Sequence, residues 1–102
     1  MSSEIIKSSF TAVQIGVARS DGKLHLTQST IIFEPFNKAQ GLGPYTLIRD
    51  DIDSVTRCMG KGGGIMPVTA DAIRITLKSK QVYEFIIAEP NQWIAALSRP
   101  LN

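Results

Sequence analysis

The sequence has few of the residues that carry chemistry. It contains one cysteine, Cys58, and one histidine, His25, among 102 residues. A single cysteine excludes an internal disulfide framework. One histidine and one cysteine give little from which to build a metal site, which needs three or four ligands. The Gly-x-Ser-x-Gly elbow of many hydrolases is missing as well. We therefore expect no catalytic residue, no metal and no cofactor.

Net charge and long apolar segments are also lacking. Eleven Lys and Arg against nine Asp and Glu give +2, which is too mild to indicate a nucleic-acid partner. Apolar runs such as residues 85–88 (FIIA) are far shorter than the about 20 residues of a membrane-spanning helix. Residues 1–10 lack the apolar core of a secretory signal. These features predict a cytoplasmic domain.

The sequence does contain a strong alternation of apolar and polar residues, the periodicity of β-strands. It predicts seven short strands between residues 12 and 87, after an N-terminal extension over residues 1–10 that forms either a short helix or an extra strand. Asp21 and Gly22 are the strongest turn signal and predict the tip of the first hairpin. Pro35 ends the third strand. Long loops are expected at residues 36–44 and 60–67.

The period changes near the C-terminus and predicts a capping helix over residues 90–98. Pro90 suits a first helical turn, and Trp93, Ala96 and Leu97 share one face. A curled sheet leaves one end of its core open, and a helix carrying a tryptophan can close it. We expect one mainly β domain over residues 1–102: a seven-stranded antiparallel, partly open barrel capped by one C-terminal α-helix. The predicted core residues include Phe33, Phe85, Trp93 and Leu97.

Several segments of this pattern resemble known families. They are residues 22–27 (GKLHLT), 31–33 (IIF), 48–55 with Asp51 and Ile52, 73–77 (IRITL), 83–85 (YEF), and finally Trp93 and Leu97. Over residues 12–98 the chain resembles the GRAM and bacterial pleckstrin-homology-like (PH-like) families. The resemblance implies a PH-like barrel that binds rather than catalyses. It also implies that the first, third and sixth hairpin loops gather at the open end, with these basic residues: Arg19, Lys23, Lys38, Lys78 and Lys80.

Other candidate sites fail on spacing. The glycine-rich residues 60–64 have Lys61 too early for a phosphate-binding P-loop, and no helix signal follows. Asp50, Asp51 and Asp53 lack the glycine and the later glutamate of a calcium loop. We interpret His25 as a solvated or structural residue on the polar side of a strand. Cys58 is expected to act as a small buried apolar residue.

Three functions remain open. The first is a binding module that acts through protein contacts or self-association, since an exposed strand edge offers pairing to another chain. The alternative is a peripheral membrane module that binds anionic lipid head groups through the five basic residues. The third is an enzyme with an unfamiliar site, which requires His25 near Cys58 or a carboxylate cluster, within about 3 Å.

Overall fold

One curled antiparallel sheet and one helix make up the described chain in the computed structural model, which covers residues 4–16, 18–61 and 69–98. The strands follow the order β4-β3-β2-β1-β7-β6-β5. Short 3₁₀ helices occupy Lys38–Gln40 and Arg49–Asp51. The elements are β1 (Lys7–Ile15), β2 (Ala18–Leu26), β3 (Thr30–Pro35), β4 (Tyr45–Ile48), β5 (Ile52–Lys61), β6 (Thr69–Leu77), β7 (Val82–Ile87) and α1 (Pro90–Ser98). The predicted seven-stranded, helix-capped half-barrel is confirmed.

Strand β1 joins the two halves of the sheet. It pairs with β2 along its whole length and with β7 from Thr11 to Gln14. Because β1 begins at Lys7, part of the predicted N-terminal extension is regular strand, and the choice between helix and strand is settled for residues 7–10. The glycine-rich loop predicted over residues 60–67 begins later than expected, since β5 continues to Lys61. Residues 62–68 of that loop lie outside the described residues.

The first hairpin turns at a different place from the one predicted. Gly16, with a φ of +61°, begins the connection between β1 and β2, whereas Asp21 and Gly22 lie inside β2. The Asp21-Gly22 prediction was wrong because local turn chemistry was outweighed by burial. With the turn at Gly16, Leu24 and Leu26 on β2 enter the core on the same face as Val13 on β1.

Gly22 has a packing role instead of a turning role. A Cβ atom at residue 22 would collide with the carbonyl oxygen of Glu34 and lie 2.8 Å from Cε1 of Phe33. Glycine therefore lets β2 approach β3 closely, with Phe33 packed against its backbone. The partner of Gly22 in the β2–β3 ladder is Pro35, the last residue of β3.

Helix α1 closes one end of the core. The side chain of Trp93 is 0% exposed, and its Nε1 donates a hydrogen bond to Oγ of Ser9 at 3.0 Å. Lys7 lies over the Trp93 ring with Nζ 5.4 Å from the centroid. Leu97, Phe33 and Phe85 are buried in the same apolar cluster. Since Ser9 is near the start of β1, the helix seals the end opposite the first hairpin.

Arg49 fastens the last turn of the helix to the sheet. Its guanidinium donates to the carbonyl oxygens of Thr27 at 3.1 Å, Gln28 at 3.2 Å and Ala96 at 3.2 Å. A cation at the C-terminal end of a helix interacts favourably with the unpaired carbonyls there. Helix α1 has nine residues, and within the described chain no helix is long and apolar enough to cross a membrane.

Replacing the buried tryptophan tests how much the helix contributes. Trp93→Ala removes a fully buried ring and leaves a cavity, so the free energy of unfolding in urea should fall by about 3–5 kcal/mol. Gln92→Ala, on the exposed side of the same helix, should change it by less than about 0.5 kcal/mol. A loss below about 1 kcal/mol for Trp93→Ala would contradict the capping role of α1.

Two glycine variants test the close approach of β2 and β3. Gly22→Ala forces a methyl group against the Glu34 carbonyl and the Phe33 ring, and should destabilise the protein by about 3 kcal/mol, the upper part of the overpacking range. Gly16→Ala meets no atom within 4 Å and pays only for a left-handed backbone, about 1–2 kcal/mol. Urea denaturation of both variants gives the order. A larger loss for Gly16→Ala would refute the packing role of Gly22.

Candidate functional site

The outer face of β2 carries a row of exposed polar residues near the first hairpin. Side chains alternate along a strand, and the inward residues Ser20 and Leu24 are buried while Arg19, Asp21 and Lys23 are exposed. All three therefore lie on the outer side of the sheet, away from the core. Arg19 and Lys23 were predicted to lie in a hairpin loop. That placement changes to the body of β2 because the turn is at Gly16.

A pocket of about 400 Å³ lies on this face, lined by Arg19, Asp21, Phe36 and Asn37. The chain just after β3 forms its second wall, because the backbone N–H of Phe36 donates to the carbonyl oxygen of Asp21 at 3.0 Å. The side chain of Asn37 caps the following 3₁₀ helix, with Oδ1 accepting from the N–H of Ala39 at 3.0 Å. This bond fixes the Asn37 side chain at the pocket wall.

The two charged residues of the pocket have no ion-pair partner among the residues that the structure describes. The ion pairs seen there are Arg57–Asp71 and Arg74–Glu84, and the Glu34 carboxylate contacts the His25 ring. The Arg19 guanidinium and the Asp21 carboxylate thus both remain available to a ligand. They lie two residues apart on one face of a strand, which separates their Cα atoms by about 7 Å.

An exposed aromatic pair borders the pocket. Phe36, which lines it, and Phe10 on β1 lie with ring centroids 6.1 Å apart, and they are 61% and 70% exposed. Nζ of Lys23 is 5.3 Å from the centroid of the Phe10 ring, within the range of a cation–π contact. Exposed aromatic side chains next to one another form an apolar patch, and such patches often mark interaction sites. We call this feature the Phe10–Phe36 pair.

The five predicted basic residues fall into two locations. Arg19 and Lys23 are on β2, and Lys38 begins the 3₁₀ helix one residue after Asn37 of the pocket. Lys78 and Lys80 lie in the β6–β7 turn, which is held to the β4–β5 connection by the bond from the Lys78 N–H to the Asp51 carbonyl at 2.8 Å. The pocket thus brings Arg19 next to the segment that carries Lys38. Convergence of all five at one barrel mouth stays a prediction.

His25 takes part in a network across three strands. Its Nδ1 is 2.7 Å from Oγ of Ser8, and its Nε2 is 3.2 Å from Oε1 of Glu34. Serine, histidine and carboxylate in contact also occur in hydrolases, where a strained nucleophile and oxyanion donors complete the site. Here Ser8 and His25 are direct partners in the regular β1–β2 ladder. We therefore interpret these contacts as structural side-chain hydrogen bonds that link β1, β2 and β3.

Cys58 lies on β5, four strands in the sheet order from β2, which carries His25. It is half-buried. Burial raises the pKa of its thiol, the charge of Glu84 raises it further, and Arg74 opposes both. A thiol with a raised pKa is a weak nucleophile at neutral pH. Within the described chain no group of three or more His, Cys, Asp or Glu residues is placed to hold a metal ion.

Sequence reasoning did not identify most of this pocket. Asp21 was assigned to a turn, while Phe36 and Asn37 were treated as parts of a loop. One signal was available: Phe36 follows Pro35 in a polar segment, and an isolated aromatic residue in a surface loop often has a binding role. The pairing of that segment with β2 depends on tertiary structure and could not be read from local pattern.

Comparisons with known proteins support the architecture. No protein-family model matches the chain, and no curated protein does, so membership of the GRAM family stays a prediction. Among solved structures, the C-terminal domain of an unknown protein from Leishmania infantum is 18% identical, with a TM-score of 0.68, over 92% of this chain and 80% of that one.

A second similar structure is the Slm1-PH domain in complex with phosphoserine, which is 20% identical with a TM-score of 0.65 over 91% of each chain. Identities this low establish the fold alone. Together with the strand order and the capping helix, the comparison shows that the chain has a PH-like fold.

Proposed function

We propose that this protein is a non-enzymatic binding module that attaches to the surface of an anionic membrane, on the cytoplasmic side. The observation that carries the proposal is the pocket of Arg19, Asp21, Phe36 and Asn37 beside the exposed Phe10–Phe36 pair. In this arrangement a head group enters the pocket and the aromatic pair contacts the interfacial region of the bilayer. Aromatic and apolar side chains beside basic ones are a common composition for such surfaces.

Three basic side chains on this face outnumber the two acidic ones, Asp21 and Glu34, and support an anionic target. Arg19 and Lys23 are exposed on β2, and Lys38 follows the pocket wall. Each basic residue close to an anionic surface contributes about 1 kcal/mol of attraction at physiological salt. Three such residues, together with a pair of exposed phenylalanines, give weak and reversible attachment, as expected for a module of 102 residues.

One similar structure supports a phosphate-bearing ligand. The Slm1-PH domain was crystallised with phosphoserine, an anionic phosphate compound. A fold of this type therefore accommodates a phosphorylated ligand. The residues that do so in the present chain are proposed from its own pocket, because the identity is only 20%.

Vesicle binding tests this function. The protein should sediment with vesicles that contain anionic lipid and stay in solution with neutral phosphatidylcholine vesicles, and binding should weaken as salt rises. The double variant Arg19→Gln, Lys23→Gln should lower the apparent affinity by about tenfold or more, since two attractions of about 1 kcal/mol are lost.

The matched control removes two lysines from the other location. Lys78→Gln, Lys80→Gln loses the same charge but should reduce binding much less, because the β6–β7 turn packs on the β4–β5 connection. Equal losses for both double variants would favour the five-residue barrel mouth over the pocket. No sedimentation with any anionic vesicle would contradict the membrane function.

A second candidate is a protein-contact module that associates with a second copy or a partner through a strand edge. Strand β5 is the last strand in the sheet order and is ten residues long. Met59 on this strand is exposed. A long edge strand offers unpaired backbone groups for antiparallel pairing with another chain.

Light scattering during size-exclusion chromatography tests the second candidate. Edge pairing predicts a dimer mass at high protein concentration, and Thr56→Lys on β5 should restore the monomer because an edge lysine disfavours pairing. Ser79→Lys, in the exposed β6–β7 turn, adds the same charge and should leave the dimer intact. A monomer mass for the unmodified protein at every concentration would eliminate self-association through β5.

A further inference from the structure

We infer that the pocket recognises a zwitterionic amino-phosphate head group, one that carries an ammonium as well as its anionic groups, with the serine form as the best match. The inference rests on the proposed function and sharpens its ligand class. It is carried by a single juxtaposition: a guanidinium and a carboxylate, Arg19 and Asp21, line the same pocket and are not paired with each other.

The carboxylate of Asp21 argues against a purely anionic ligand. A phosphate held by Arg19 in this pocket lies close to Asp21, and like charges at such distances repel. A site evolved only for negative charge gains nothing from an acidic wall. A ligand that also carries an ammonium converts this repulsion into attraction, so the acidic residue becomes a selective element.

Each wall of the pocket offers a partner for one part of such a ligand. The planar guanidinium of Arg19 donates in a fork that suits phosphate oxygens. The Asp21 carboxylate accepts hydrogen bonds from the ammonium. The exposed face of the Phe36 ring, which also lines the pocket, attracts a cation lying over it. Ammonium recognition thus has two sources in adjacent residues.

Lys23 distinguishes the serine form from the ethanolamine form. It lies two residues beyond Asp21 on the same face of β2, over the Phe10 ring that contacts Phe36. Along β2 the outer face presents two cations, Arg19 and Lys23, and one anion, Asp21, with Glu34 opposite Lys23 on β3. A phosphoserine diester presents the complement, with a phosphate, a carboxylate and an ammonium. The ethanolamine form lacks the carboxylate and leaves Lys23 without a partner.

Vesicles of equal net charge isolate this recognition. Phosphatidylserine and phosphatidylglycerol each carry −1, and only the former has an ammonium and a carboxylate. At equal mole fraction in phosphatidylcholine, we expect about tenfold tighter binding to the serine lipid, the scale of one charge-assisted hydrogen bond. Asp21→Asn keeps the shape of the side chain and should remove most of the preference, because the ammonium loses its carboxylate partner, while leaving or improving binding to phosphatidylglycerol.

Asp50→Asn is the matched control, because Asp50 is an exposed acid in the 3₁₀ helix Arg49–Asp51, outside the pocket. It should retain the preference for the serine lipid. Free phosphoserine, titrated against inorganic phosphate in nuclear magnetic resonance experiments, separates the two sources of the head group. Amide shifts at Arg19 and Asn37 with phosphoserine alone mean that the free compound is recognised, whereas a preference seen only with vesicles assigns recognition to the lipid.

The vesicle results distinguish head-group selectivity from membrane binding itself. Equal binding of the unmodified protein to both anionic lipids overturns the zwitterion inference and leaves the membrane function standing. A preference that Asp21→Asn leaves undiminished overturns it as well. Failure to bind either kind of vesicle contradicts the membrane function. Binding of free phosphoserine in that case would still support the pocket chemistry.

Discussion

The close approach of β2 to β3 at Gly22 is the constraint on which the rest of this structure depends. It seats the Phe33 ring against bare backbone and brings the chain after Pro35 alongside β2. The hydrogen bond from Phe36 to Asp21 follows from that approach, and with it the second wall of the pocket. A side chain at residue 22 would separate the strands that hold both the core aromatic and the candidate site. The fold and the candidate site therefore depend on the same glycine.

The two ends of the half-barrel serve different purposes. At one end, Trp93 is sealed against Ser9, and Arg49 ties the last turn of the helix to the β2–β3 turn. Near the other end, β2 carries Arg19 and Asp21, which are both exposed on the outer face of the sheet. Strand β1 runs through both regions and pairs with β2 and β7, so it connects the helix-capped end to the strand that carries the candidate site. This division is consistent with a scaffold that presents a site on its surface.

Much of the fold could be predicted from the sequence, and the pocket could not. Alternation placed Tyr83, Phe85 and Ile87 correctly on the inner face of one strand, since burial of every second residue leaves a direct trace in the pattern. The predicted Asp21-Gly22 turn was wrong because it rested only on a local turn preference, which is worth a fraction of a kcal/mol, on the order of a glycine propensity. The strand register that buries the apolar face of β2 outweighs that preference. Glycine is needed at residue 22 because the carbonyl oxygen of Glu34, twelve residues away in the chain, leaves no room for a Cβ atom. Pocket residues meet only through this long-range packing, so their spacing carries no signal.

We propose the outer face of β2, with the segment after β3, as the binding surface. Amide chemical-shift mapping of the full chain against bicelles containing phosphatidylserine tests it most directly. We expect the largest shifts at Arg19, Asp21, Phe36 and Asn37, with the turn at residues 78–80 and the β5 edge unchanged. Shifts concentrated at residues 78–80 or along β5, with the pocket amides unmoved, would place the binding surface elsewhere on the molecule.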